Sequence, residues 1–241
     1  TDASPYDTGS YAAATTYVTG MAVVKTCETL RKKICERGAE YLGCSPDDVE
    51  FDGEKVVNLK TKEEITRKEI GNKVMCSSNA PLSATEAFSS PVSPPPFMVG
   101  IAEVEIDKET GVVEPIDYAA VVDCGTVVNP NLARVQTEGG IAQGIGMALY
   151  EDIIYSEKGK NYSNSFMQYK IPSRLDVGEI RVEFESSYEP TGPFGAKSIG
   201  EIVINTPSPA ISNAVQNAVG VIVRELPITA EKVYKGMAEK E

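Results

Sequence analysis

Glu201 stands out among the acidic residues because it ends the segment 195–201, GAKSIGE, and is followed by the apolar residues 202–204. The chain contains no histidine, which excludes Ser-His and Cys-His catalysis and the commonest metal ligand. The nearest helix-start signal, Ser208-Pro209, lies seven residues further on, so helix capping does not explain this acid. We expect Glu201 to be partly removed from water, as suits a general base, and an exposed loop glutamate is the alternative.

A second unusual segment is 136–146, QTEGGIAQGIG, in which four glycines fall inside a predicted helix. Together they cost about 3–4 kcal/mol relative to alanine, which indicates that something approaches the helix backbone closely. Tight packing against another element is the favoured explanation. The alternative is a cofactor lying against the helix, with hydrogen bonds from Gln136 or Gln143. The glycine spacing does not fit the dinucleotide fingerprint GxGxxG.

The first part of the chain is predicted to hold two helices and a hairpin. Apolar residues recur at helical spacing over 23–34, which predicts a long helix ending near Gly38. The sequence SPDD at 45–48 predicts a short helical turn, and Asp52-Gly53 predicts a tight hairpin. A second helix is predicted to begin at Thr66, where Glu69 completes a capping box.

The segment 89–97, SSPVSPPPF, cannot hold a helix or a central strand, so we take it as the boundary between domains 1–88 and 89–241. The second domain is predicted to contain a hairpin over 99–122, helices over 129–149 and 208–220, and strands over 152–155 and 180–186. The helix starting at Ser208-Pro209 is predicted to be the last clear one. Helices interleaved with antiparallel hairpins predict the α+β class.

Composition narrows the possible functions. The chain carries 35 acidic and 23 basic residues, and the resulting net charge of −12 disfavours nucleic acids and anionic membranes as partners. No apolar run approaches the length of about 20 residues that spans a bilayer, and the first residues, TDASP, lack signal-peptide features. Five cysteines without a CxxC pair predict free thiols in a reducing cytoplasm, not a disulfide framework or a zinc site.

Four ordered motifs resemble the large molybdopterin subunit of the xanthine dehydrogenase, aldehyde oxidoreductase and nicotinate dehydrogenase family. Residues 7–15, DTGSYAAAT, with GMAV at 20–23 resemble its D-x-G-T/S-x-A-S/A loop and helix. The stretch 123–146 resembles its DxGxxxNP…Q-x-E-G-G…QG-x-G pattern. Residues 195–201 resemble its (A/G)-x-K-x-x-G-E motif, and 209–214, PAISNA, resemble its PAIxNA helix start. The match is weakest over residues 40–95.

The resemblance implies the C-terminal part of the molybdenum subunit, an α+β fold with mixed sheets and packed helices. It implies a molybdenum–molybdopterin cofactor, in its cytosine dinucleotide form, whose dithiolene and not a protein side chain holds the metal. Glu201 aligns with the catalytic glutamate, a general base toward a water-derived oxygen that hydroxylates an N-heterocycle or aldehyde carbon. Positions that align with cofactor contacts are Ser10, Tyr11, Ala12, Ala13, Thr15, Gln136 and Gly200.

The sequence departs from the family in two ways. Ile202 follows Glu201 where the family usually has proline, so we expect a different local backbone. The family's upstream half, with its GGGFGGK-like loop, lies outside this sequence, so the chain alone is expected to be inactive. The expected partners are that upstream half, iron–sulfur and FAD subunits carrying [2Fe-2S] and FAD, and a small-molecule substrate, in an oligomeric complex. Purines, nicotinate and aldehydes remain possible substrates, and a non-catalytic assembly or scaffold protein remains the alternative function.

Overall fold

The structure is a computed structural model that describes residues 2, 6, 7, 9–77 and 81–239. It forms two compact units, one of Val18–Pro91 and one of Thr1–Tyr17 with Val92–Glu241. The units therefore divide after Tyr17 and after Pro91, and the assignment of 1–88 and 89–241 to two cofactor-binding subdomains stays a prediction. Thr8 of the D-x-G motif lies outside the described residues.

The unit Val18–Pro91 packs helices on a small antiparallel sheet. A π-helical turn, Thr15–Thr19, leads into α1, Gly20–Leu42, and a 3-10 turn, Pro46–Asp48, follows it. The remaining elements are β1 (Val49–Phe51), β2 (Lys55–Asn58), β3 (Glu64–Thr66) and α2 (Arg67–Met75), with strand order β1-β2-β3. The core residues are Ile34, Val56, Ile65, Ile70 and Val74.

The local signals in this unit are confirmed, with one exception. The turn after Ser45, the hairpin and the capping box all form, and Thr66 N donates to Glu69 Oε2 at 2.9 Å. The predicted end of α1 near Gly38 is wrong, because the helix continues to a left-handed cap at Gly43. Gly38 is instead a packing glycine: a Cβ there would lie 2.7 Å from Val56 Cγ1.

The larger unit contains a three-stranded sheet with helices packed on one face. Its strands are β4 (Phe97–Ile106), β5 (Val113–Asp123) and β6 (Glu179–Phe184). β4 pairs with β5 antiparallel, and β5 pairs with β6 in parallel. The helices are α3 (Pro130–Leu149), α4 (Ile202–Asn205), α5 (Pro207–Val219) and α6 (Ala230–Ala238). Buried core residues include Tyr118, Ile141, Ile145, Ile211, Val215 and Val233.

The α+β class is confirmed, but two predicted elements of this unit need correction. The strand expected over 152–155 is wrong: its residues are exposed, and Tyr155 forms only an isolated bridge with Asn161. The helix expected from Ser208 begins at Pro207, because that proline already fills the first turn. It is not the last helix, since α6 follows with Thr229 as its N-cap.

No helix among the described residues combines the length and the apolar character that crossing a membrane requires.

Candidate active site

Glu201 lies at the start of α4, the four-residue helix Ile202–Asn205. A helix therefore begins directly after this acid, contrary to the expectation from Ser208-Pro209, but its carboxylate makes no capping hydrogen bond. The expected partial removal from water is also wrong, because Glu201 is exposed. The helical turn sends successive side chains in different directions, so Val203 points into the core while Glu201 points out.

Glu201 and Gln136 line the same cleft, which has a volume of about 320 Å³. Gly200 lies beside Glu201 on one wall, and Gly139 and Gln143 of α3 lie on the other. Both glutamine side chains are exposed, so their amides are accessible to a ligand. The structure thus brings together three predicted site residues from segments that are far apart in the sequence.

The loop before α1 lies against this cleft through Ala13. A Cβ at Gly200 would lie 3.2 Å from Ala13 Cβ, so the loop and the Glu201 segment are in contact. Ala12 and Ala13 have φ values of 48° and 53°, in the left-handed region that non-glycine residues rarely adopt. The Ala14 amide closes the turn by donating to the Tyr11 carbonyl at 3.0 Å. Strained backbone of this kind is often found at ligand sites.

Three of the four glycines in α3 are explained by packing, as favoured from the sequence. A Cβ at Gly140 would lie 3.0 Å from Val203 Cβ, and one at Gly144 would lie 2.6 Å from Pro207 Cγ. A Cβ at Gly146 would lie 2.8 Å from Pro172 Cδ. Gly139 differs, because a Cβ there would meet no atom within 4 Å in the part of the chain that the structure describes. Its backbone faces the cleft, so packing among the described residues does not explain this glycine.

The segment before Glu201 is attached to the end of β5. Lys197 N donates to the Cys124 carbonyl at 2.8 Å, and Thr126 N donates to the Gly195 carbonyl at 2.8 Å. The Lys197 ammonium lies 2.8 Å from Asp123 Oδ2. Burial would raise the pKa of Asp123, but Lys197, the Ser187 hydroxyl and a backbone amide outweigh it and hold that pKa below its usual value.

A second cavity, of about 330 Å³, shares Gln136 with the first. Its lining includes Thr16, Asn129 and Lys197, and it is mostly apolar. Burial raises the pKa of the Cys124 thiol in this wall, which keeps the thiol protonated. Its walls come from Thr16 and from the motifs at 123–146 and 195–201, and neither motif taken alone predicts that they enclose a cavity.

No three or more Cys, Asp or Glu side chains converge as potential metal ligands within the described residues.

Comparison with known proteins assigns the chain to a family. Residues 1–178 match the model of the molybdopterin cofactor-binding domain. The chain belongs to this family and corresponds to part of the large subunit of molybdenum hydroxylases. It is 35% identical to the probable hypoxanthine oxidase XdhD of Escherichia coli K12, covering 98% of this chain and 25% of that protein. It is 30% identical to subunit gamma of the 6-hydroxypseudooxynicotine dehydrogenase complex of Paenarthrobacter nicotinovorans, covering 97% of this chain and 31% of the relative.

Solved structures share the fold. The Cu,Mo-CO dehydrogenase in its carbon monoxide reduced state superimposes with a TM-score of 0.85 at 25% identity, covering 99% of this chain and 31% of that one. Quinoline 2-oxidoreductase from Pseudomonas putida 86 superimposes with a TM-score of 0.84 at 26% identity, covering 99% and 32%. The chain thus spans between a quarter and a third of the length of these relatives.

Proposed function

We propose that this chain forms one wall of the active site of a molybdenum hydroxylase and that Glu201 is its general base. The observation that carries the proposal is the shared cleft: Glu201, Gln136 and the exposed backbone of Gly139 line it together, in a chain of the molybdopterin-binding family. Because the chain spans only part of its relatives, the assembled enzyme, and not this chain alone, is proposed to be active.

The cleft fits a bound molybdopterin cofactor in three respects. The open backbone at Gly139 leaves room for a group to lie directly against α3. The exposed amides of Gln136 and Gln143 can both donate and accept hydrogen bonds there. Since the described residues contain no cluster of potential metal ligands, the metal would be held by the cofactor's own sulfur atoms.

We propose that Gln136, Gly200 and the loop before α1 hold this cofactor. The loop residues concerned are Ser10, Tyr11, Ala12, Ala13 and Thr15. Ala13 contacts Gly200, so the loop can present its backbone on the same side of the cleft as Glu201. The cofactor is proposed to be bound in its cytosine dinucleotide form.

The role of Glu201 in the reaction is to accept a proton. When bound, the cofactor would supply the oxygen that is transferred, and it would accept the hydrogen and the electron pair of the substrate C–H bond that breaks. The carboxylate of Glu201 removes the proton from the attacking, water-derived oxygen as it bonds to the electron-poor carbon. The amide of Gln136, on the opposite wall, orients the groups between them by hydrogen bonding.

The substrate is proposed to be an N-heterocycle, with an aldehyde as the second possibility. The relative that is 35% identical is a probable hypoxanthine oxidase, and this favours a purine-like ring. Electrons are proposed to leave through [2Fe-2S] and FAD groups on partner domains or subunits, in a cytoplasmic complex that also contains the upstream half of the molybdenum subunit.

The proposal is tested by Glu201→Gln in the assembled enzyme, with Glu225→Gln as the matched control. Glu225 is also exposed but lies in the loop between α5 and α6, outside the cleft. Loss of a general base lowers turnover by about 10²–10⁴-fold, whereas the control should keep its activity and both variants should keep their molybdenum. Full activity of Glu201→Gln would refute the assignment. A purified complex without molybdenum would support the scaffold alternative instead.

A further inference from the structure

We infer that Lys197 and Asp123 are positioning residues that fix the direction of Glu201. The inference rests on the proposed role of Glu201 as general base. Lys197 Nζ lies 2.8 Å from Asp123 Oδ2, and the two side chains are only 11% and 20% exposed. An ion pair so shielded from water holds its geometry more firmly than an exposed pair does.

The Asp123 end of this pair is held by further hydrogen bonds. The Ser187 hydroxyl donates to Asp123 Oδ1 at 2.5 Å, and the Gly125 amide donates to the same oxygen at 3.0 Å. Asp123 is also the last residue of β5, so its backbone belongs to the sheet. Both carboxylate oxygens are therefore occupied, and the direction of the second one, toward Lys197, is set by the fold.

The Lys197 end is held through its backbone as well as its side chain. Gly125 and Ala196 form an antiparallel bridge, and the Lys197 amide donates to the Cys124 carbonyl at 2.8 Å. The ammonium also lies 5.7 Å from the centre of the Phe97 ring, at the start of β4. Lys197 thus joins the segment 195–197 to two strands of the sheet.

Glu201 lies between this attachment and a second one. Residues 198–200 separate it from Lys197, and Val203, two residues after it, packs against Gly140 of α3. The Glu201 carboxylate has no capping bond of its own. Its direction therefore depends on these two attachments and on the contact of Gly200 with Ala13, and the Lys197–Asp123 pair is the electrostatic one among them.

The test uses Lys197→Met, Asp123→Asn and the double variant in the assembled enzyme. Asp123→Asn keeps the shape of the side chain, and its amide oxygen can still accept the hydrogen bonds from Ser187 and Gly125. It therefore tests the ion pair even if Lys197→Met fails to fold. Lys235→Met is the matched control, because it breaks an exposed ion pair with Glu231 on α6, away from the cleft.

Turnover per molybdenum atom is expected to fall by about 10–100-fold, since small misplacements of a catalytic group have effects of that size. KM should change by less than about twofold, because substrate contacts are retained. Amide hydrogen exchange over 198–204 should become faster in the same variants. The double variant should be no slower than the slower single variant, as expected for two residues that act as one unit.

Two results would overturn the inference: unchanged exchange over 198–204, or faster exchange with unchanged turnover per molybdenum. The exchange measurement does not involve the chemical step. It therefore still reports whether the pair holds the segment if Glu201→Gln proves fully active and the proposed function fails.

Discussion

Gly140 of α3 and Val203 of α4 are in direct contact, with no room for a side chain on the glycine. A Cβ on Gly140 would lie 3.0 Å from Val203 Cβ and would overlap its Cγ2. Val203 is completely buried, so it cannot move aside into solvent. This contact joins the glycine-rich helix to the short helix that begins after Glu201, and both helices contribute residues to the lining of the cleft.

Gly140→Ala is therefore expected to destabilise the chain although alanine favours helices. The propensity gain is about 1 kcal/mol, whereas forcing a methyl group into a filled core costs about 1–3 kcal/mol. Denaturant unfolding should show a lower free energy of unfolding than in the wild type. Gly139→Ala, one residue earlier in the same helix, is the control for propensity alone. Equal stability of the two variants would contradict the packing account.

Gly139→Ala should separate stability from cofactor binding. With no described atom near its new methyl group, this variant should be more stable than the wild type by up to about 1 kcal/mol. In the assembled enzyme it should nevertheless bind less molybdenum, because the methyl group would enter the space proposed for the cofactor. Elemental analysis measures the second effect. Full molybdenum content would mean that the cofactor does not approach α3 at this residue.

The ion pair of Asp123 should make stability depend on pH. The folded state lowers the pKa of this carboxyl group, against burial, through Lys197 and Ser187. Its stabilising contribution is therefore complete above the unfolded pKa of about 3.9 and is lost as the pH falls toward the lower folded value. The difference in the free energy of unfolding between wild type and Asp123→Asn should shrink as the pH falls from about 5 to 3. A constant difference across that range would contradict this account.

Thr66→Ala provides a test in the other compact unit. The Thr66 side chain accepts a hydrogen bond from the Glu69 amide at 3.2 Å, and Glu69 bonds back to the Thr66 amide. Loss of this capping box should lower the free energy of unfolding by about 1 kcal/mol. Molybdenum content of the assembled enzyme should stay unchanged, and a fall in that content would show that α2 influences the cofactor site.

Local signals predicted most of the helices and the hairpins. The capping box at Thr66, the turn over 45–48 and the hairpin at Asp52-Gly53 each depend on residues that are neighbours in sequence. Gly38 misled because a glycine that packs on Val56 looks, in sequence, like one that ends a helix. A packing glycine is recognised only by its partner on a distant strand, and no local sequence pattern contains that partner.

The candidate site was predicted only in part, for the same reason. The motifs at 123–146 and 195–201 indicated Gln136 and Glu201. The exposure of Glu201, however, depends on the direction in which α4 leaves Gly200. The contact between Lys197 and Asp123 joins residues 74 positions apart. The parallel pairing of β5 with β6 is likewise set by packing over a long connection and not by a turn.

A single-turnover measurement follows the step in which Glu201 is proposed to act as the general base. Substrate is mixed with the fully loaded, oxidised enzyme, and the rate at which the molybdenum centre is reduced is compared between wild type and Glu201→Gln. At equal molybdenum content, reduction should be slower in Glu201→Gln by about 100-fold or more, because the step that loses its base is the one observed. Reduction at the wild-type rate would contradict this role of Glu201.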